Sequence, residues 1–136
     1  MKILLIGLGI QGFKRLKTIQ NFSFKTIDPI SKKADYKTIN EINLKNFDTA
    51  IVCTSEKEQY KIVKHLLSNK INVMVEKPFL ISDEFLGQLK NICKKNKVIL
   101  YVCYNHRFEP FVKRIRELLK KKILGKIYSV KMFYGN

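Results

Sequence analysis

A chain of 136 residues, 46% hydrophobic and 28% charged, is long enough to bury one core without disulfides or metals and is expected to form little more than one domain. No run reaches the roughly 20 apolar residues of a membrane-spanning helix, and the short apolar start lacks a signal-peptide cleavage site, so the expected location is the cytoplasm, with no membrane partner. The formal charge of +16 draws anions, either a phosphate-bearing cofactor or a nucleic acid. No nucleic-acid motif accompanies it, and nucleic acid is not the expected partner.

The first strand is expected over residues 2–6, where Ile3-Leu4-Leu5-Ile6 is apolar throughout, followed by a helix over 10–21. Further strands follow at 24–28, 49–53, 72–76 and 98–103, with helices at 56–69, 83–95 and 109–121. In the third helix Phe85, Leu86, Leu89, Ile92 and Cys93 share one face, and Ser82 offers an N-cap. The segment 37–46 is short and polar enough for a single helical turn. Short all-apolar strands alternating with amphipathic helices imply an α/β fold: a parallel, doubly wound sheet of Rossmann type, with helices on both faces and expected strand order 3-2-1-4-5. The dense charges of the last helix, Lys113, Arg114, Arg116 and Lys120, fall on its solvated side.

A final run, 127–134, sets Tyr128, Val130, Met132 and Tyr134 on one face of an expected strand. The reading is of a dinucleotide-binding domain over 1–126 and the opening strand of a truncated second domain over 127–136. Such an edge strand is expected to pair with a second copy of the chain, giving a homo-oligomer, or to be poorly ordered.

Gly7-Leu8-Gly9-Ile10-Gln11-Gly12 is a G-x-G-x-x-G that follows a strand and opens a helix. Gly7 permits the tight turn, Gly9 lets the backbone approach a pyrophosphate, and Gly12 lets helix and strand pack closely. The pyrophosphate then sits on backbone N–H groups at Ile10 and Gln11. Asp28, 21 residues after Gly7, is placed to accept from the adenosine ribose hydroxyls and to repel a 2′-phosphate, favouring NAD over NADP. Lys32 and Lys33 are the opposing signal.

After the fourth strand comes Glu76-Lys77-Pro78, where Pro78 restrains the backbone of Lys77. A lysine held at that strand end could hydrogen-bond a substrate oxygen or carry a proton. Together with the glycine loop, Asp28, Thr54-Ser55 after the third strand and Tyr104-Asn105-His106-Arg107-Phe108-Glu109-Pro110 after the fifth, it resembles the Gfo/Idh/MocA oxidoreductases. Leu124-Gly125-Lys126-Ile127 is similar to that family's join into its second domain, an α/β substrate domain largely absent from this chain. The resemblance implies a nicotinamide-dependent oxidoreductase acting on a sugar, cyclitol or sugar nucleotide. It gives Lys77 the catalytic position beside the nicotinamide and places Thr54, Ser55, Glu76 and Asn105 against the cofactor. Two positions depart from the family's pattern: Ser55 replaces a proline, and Gln59 stands where histidine is common.

His65 lies beside Leu66 and Leu67, in a packing or surface role, and His106 within the matched stretch is not assigned to the site. Cys53, Cys93 and Cys103 have no metal-ligand spacing and read as reduced core residues, and no metal site is expected. The competing readings are a non-catalytic NAD-binding module and a basic nucleic-acid-binding protein.

Overall fold

The computed structural model describes every residue except Tyr134 and Asn136. By compactness the chain divides into Met1–Cys103 and Tyr104–Asn136.

In the first unit, β1 (Lys2–Ile6), β2 (Ser23–Ile27), β3 (Thr49–Val52), β4 (Asn72–Val75) and β5 (Leu100–Val102) form one sheet, all parallel. Between them run α1 (Ile10–Thr18), α2 (Glu56–Ser68) and α3 (Asp83–Asn96). The central strands β1 and β3 are apolar on both sides because both sides are covered, whereas β2 carries exposed Ser23 and Lys25. Leu4, Ala50, Val52, Val73 and Val75 pack with Val63, Leu66 and Leu67 of α2 and Leu89 of α3. On the other face Ile3, Leu5 and Ile51 pack with Leu8, Leu16 and Ile19 around α1. Each fully buried leucine contributes about 1.5–3 kcal/mol. The Ser82 hydroxyl accepts from the Phe85 N–H at 3.3 Å and starts α3, while Lys97 in the left-handed region ends it. The polar segment 37–46 forms two 3-10 turns, Ile39–Glu41 and Leu44–Asn46, rather than one helical turn.

The sheet order is β2-β1-β3-β4-β5, not the expected 3-2-1-4-5. The difference comes from Tyr36. It makes an isolated parallel bridge to Ile27, its carbonyl accepting from the Asp28 N–H and its N–H donating to the Thr26 carbonyl. That one-residue bridge occupies the place beyond β2 where a third strand was expected. The strand at 49–52 lies on the other side of β1, pairing Ile3 with Thr49 and Ile6 with Val52. The topological switch point thus falls between β1 and β3, and ligands of open α/β sheets bind in the crevice at such a point.

The second unit contains a 3-10 turn at Asn105–Phe108 and α4 (Pro110–Lys120), which begins on a proline. Residues 127–133 form no strand, against expectation, and are exposed; Tyr134 lies outside the described residues. Alternation marks which side chains share a side, but a strand also needs a neighbouring backbone to exchange hydrogen bonds with. No helix among the described residues is long and apolar enough to cross a membrane.

Candidate functional site

The glycine loop joins β1 to α1 at the switch point. Gly7 has φ +92°, which L side chains rarely adopt, and a Cβ there would meet the Cys53 carbonyl oxygen at 2.7 Å. Its N–H donates to the Ile27 carbonyl at 2.8 Å, so the loop hangs between β2 and β3. A Cβ on Gly12 would lie 1.9 Å from the Gly7 carbonyl oxygen, so α1 rests directly on the loop. Around Gly9 there is nothing within 4 Å of such a Cβ.

The first helical bond of α1 runs from the Phe13 N–H to the Gly9 carbonyl, and no side chain caps the helix. The N–H groups of Ile10, Gln11 and Gly12 precede that bond, and an anion seated before the helix can take them. Glycine loop and helix start therefore fit a dinucleotide pyrophosphate: an open cradle over Gly9, a positive helix end and no acidic residue in the first turn.

Asp28 closes the loop from β2. Its Oδ2 accepts the Leu8 N–H at 2.7 Å, and its Oδ1 accepts those of Ile30 and Ser31 at 2.9 and 2.7 Å. Burial works to raise its pKa, but these bonds outweigh it and hold the carboxyl below its ordinary 3.8, so it is an anion at neutral pH. Asp28 thus holds the glycine loop in place. Lys33, the opposing signal for NADP, lies over the Phe13 ring at 5.8 Å.

Beyond the ends of β3 and β4 opens a cavity of about 450 Å³. It brings together Gln11, Thr54, Ser55, Glu76 and Lys77 from the expected set, and adds Gln59. Glu76 is only 5% exposed. Its carboxylate pairs with the Arg15 guanidinium, which reaches across from α1. Burial acts to release the Arg15 proton, but the hydrogen bond and charge of Glu76 prevail and the Arg15 pKa is raised. Lys77 is exposed, Pro78 follows through a cis peptide, and Phe79 is buried in the core formed with α2 and α3.

Gln59 is 2% exposed. Its Nε2 donates to the Thr54 and Glu76 carbonyls, both at 3.2 Å. Gln59 Oε1 and Thr54 Oγ1 are buried with no protein hydrogen-bond partner, which leaves polar capacity in the residues walling the cavity.

Asn105 belongs to the second unit, where it opens the 3-10 turn. His106, in the same turn, pairs with Glu109. His65 is exposed on α2. Burial above all, with the Glu76 carboxylate next, pushes the Cys53 thiol up to about 12 and makes it a poor nucleophile. Sequence alone gives no role to Arg15 and marks Gln59 only as a departure from the family's pattern. Gln59 carried a legible signal: it falls on the inward stripe of α2 with Val63, Leu66 and Leu67, and a polar residue there needs partners. Arg15 carried none, because its partner is 61 residues away.

Fold and glycine loop together define a doubly wound dinucleotide-binding domain. The profile described as an oxidoreductase family with an NAD-binding Rossmann fold matches residues 29–104, and the chain belongs to that family, Gfo/Idh/MocA. The match takes in Thr54-Ser55 and Glu76-Lys77-Pro78 and begins just after Asp28.

Among curated proteins, the chain is 26% identical to a myo-inositol 2-dehydrogenase of Thermotoga maritima, over 92% of this chain and 44% of that protein. Among solved structures it is similar to the WlbA dehydrogenase of Thermus thermophilus in complex with NAD and alpha-ketoglutarate. That likeness has a TM-score of 0.75 and 19% identity, over 89% of this chain and 47% of that one. A UDP-N-acetylglucosamine 3-dehydrogenase of Acidithiobacillus ferrooxidans also gives 0.75, at 16% identity, over 86% of this chain and 41% of that one. The chain thus spans less than half the length of these relatives.

Proposed function

We propose that this chain binds NAD at the switch point of its sheet and forms the cofactor-binding part of an oxidoreductase acting on a sugar, cyclitol or sugar nucleotide. One observation carries the reading: the glycine loop's Gln11, the Thr54-Ser55 corner and the Glu76-Lys77 corner wall one cavity at the C-terminal ends of adjacent strands. The names of the inositol and sugar-nucleotide dehydrogenases among the relatives support the substrate class. Their greater length supports reading residues 1–126 as the cofactor-binding part and 127–136 as the way into a substrate-binding part.

In this reading Gly7, Gly9, Ile10, Gln11 and Gly12 hold the pyrophosphate, and Asp28 accepts from the adenosine ribose. Thr54, Ser55 and Glu76 border the nicotinamide end. NAD held there would supply the hydride chemistry. Lys77 points its ammonium at the reacting substrate oxygen, orienting it by hydrogen bonding and passing the proton. The basic surface steers the anionic cofactor inward.

Calorimetry tests the cofactor half. NAD is expected to bind at least about thirtyfold more tightly than NADP, because a like-charge contact costs about 2 kcal/mol or more. Asp28→Ser should narrow that gap and also weaken NAD itself, since the Leu8 N–H loses its acceptor. Tighter binding of NADP by the wild type would overturn the assignment.

Turnover tests Lys77, in a preparation that reduces NAD with a polyol or nucleotide sugar. Lys77→Ala should lower kcat by about 10²–10⁴-fold, the range for a positioned proton-transfer group, with little change in NAD affinity. Equal losses in both would move Lys77 into the cofactor-binding set.

A further inference from the structure

We propose that Gln59 is a positioning residue for Lys77, holding the peptide planes at the ends of β3 and β4 so that both corners of the cavity keep one geometry. The inference rests on the reading of Lys77 given above.

Pairing between the two strands ends where the Glu76 N–H donates to the Val52 carbonyl at 2.9 Å. Past that point no backbone group can join Thr54 to Glu76, because the chains diverge into α2 and into the loop before α3. Gln59 supplies the missing rung. Both of its donated bonds go to carbonyls, one on each side of the gap. The Glu76 carbonyl belongs to the peptide that begins Lys77, and the Thr54 carbonyl to the peptide that begins Ser55. Fixing those two planes fixes where the next side chains start.

Other anchors hold Glu76 and Phe79 but leave that peptide plane free to turn. The Glu76 carboxylate is tied to α1 through Arg15, and Phe79 is buried in the opposite core. Between them stand exposed Lys77 and Pro78. Without Gln59 the Glu76 carbonyl would lose its partner, and the plane could rotate about a fixed carboxylate. A glutamine kept only for packing would be costly at 2% exposure, since its Oε1 has no protein partner. The two carbonyls explain why an amide occupies an otherwise apolar stripe.

The test reads Lys77 directly on the 136-residue chain. Lysines are acetylated by a water-soluble active ester with and without NADH, and Lys77 is followed by mass spectrometry relative to Lys94, exposed on α3. In the wild type NADH is expected to slow acetylation of Lys77 but not of Lys94. Gln59→Met, similar in size but without a donor, should lose that protection at NADH concentrations that calorimetry shows to saturate the variant. Gln59→His, which keeps a ring N–H donor, should recover part of it.

Undiminished protection of Lys77 in Gln59→Met would overturn the inference. Should that variant not fold, the wild type decides by NMR. The Gln59 side-chain amide protons should exchange slowly and shift on adding NADH, and fast exchange with no shift would overturn the proposal. Failure of the functional reading looks different. No NADH binding by the wild type refutes the cofactor assignment, and binding without protection of Lys77 refutes its place beside the nicotinamide.

Discussion

Alanine at Gly12 is expected to destabilise the fold by about 3 kcal/mol or more and to abolish measurable NAD binding. Overpacking a well-filled site costs about 1–3 kcal/mol when side chains can yield. Here the added Cβ lies 1.9 Å from the Gly7 carbonyl oxygen and 2.9 Å from the Gly7 carbonyl carbon, and backbone yields less. The loop has little room to adapt. Gly7 already has φ +92°, and the Cys53 backbone closes the space behind it. Relief therefore means backing α1 away from β1, which carries the N–H groups of Ile10 and Gln11 off the pyrophosphate position.

Gly9→Ala is the control that separates folding from binding. Gly9 has φ −72°, open to any residue, and nothing lies within 4 Å of an added Cβ. Its stability should stay within about 0.5 kcal/mol of wild type, as for substitutions away from special features. Its NAD affinity should nonetheless fall, because the methyl would stand in the open space over Gly9 assigned above to the pyrophosphate. Urea unfolding and calorimetry on the two variants check this. A stable Gly12→Ala, or a Gly9→Ala that binds NAD normally, would refute the role given to that glycine.

Arg15→Met is expected to cost about 3–5 kcal/mol, the usual penalty for leaving a buried charge without its partner. Glu76 is the charge left behind: it is 5% exposed, and its carboxylate faces Arg15 across the α1 side of the sheet. The double replacement Arg15→Met with Glu76→Leu should recover most of that loss, because a buried pair exchanged for apolar side chains of similar volume is often neutral or better. Chemical denaturation of the single and double variants measures both. If the single variant is as stable as wild type, the pair is solvated in solution and does not tie α1 to the Glu76 corner.

Much of this architecture is legible in the sequence because it is written at short range. Four-residue runs such as Ala50-Ile51-Val52-Cys53, alternating with helical patterns, read as strands covered on both faces, and the glycine spacing of the first loop marks a strand-to-helix turn. The ends of α1 to α4 were legible to within a few residues for the same reason: helical periodicity and caps such as Ser82 are local. Membership of the Gfo/Idh/MocA family was legible too, since its motifs are contiguous.

What the sequence did not reveal depends on partners far along the chain. The order β2-β1-β3-β4-β5 turns on Tyr36, a single bridging residue with no periodicity to announce it. The alternation at 127–133 was plain, yet no strand forms there, because side-chain sidedness does not supply a neighbouring backbone. Spacing from the glycines singles out Asp28, and only the folded chain shows its carboxylate holding the Leu8 N–H. The same holds for Arg15 on Glu76 and for Gln59 on two carbonyls at once. The sequence by itself determined the elements, the glycine loop and the family. Tertiary structure alone decided which polar groups meet behind Lys77, because a buried ion pair or amide is specified by what packs against it and not by its own neighbours in sequence.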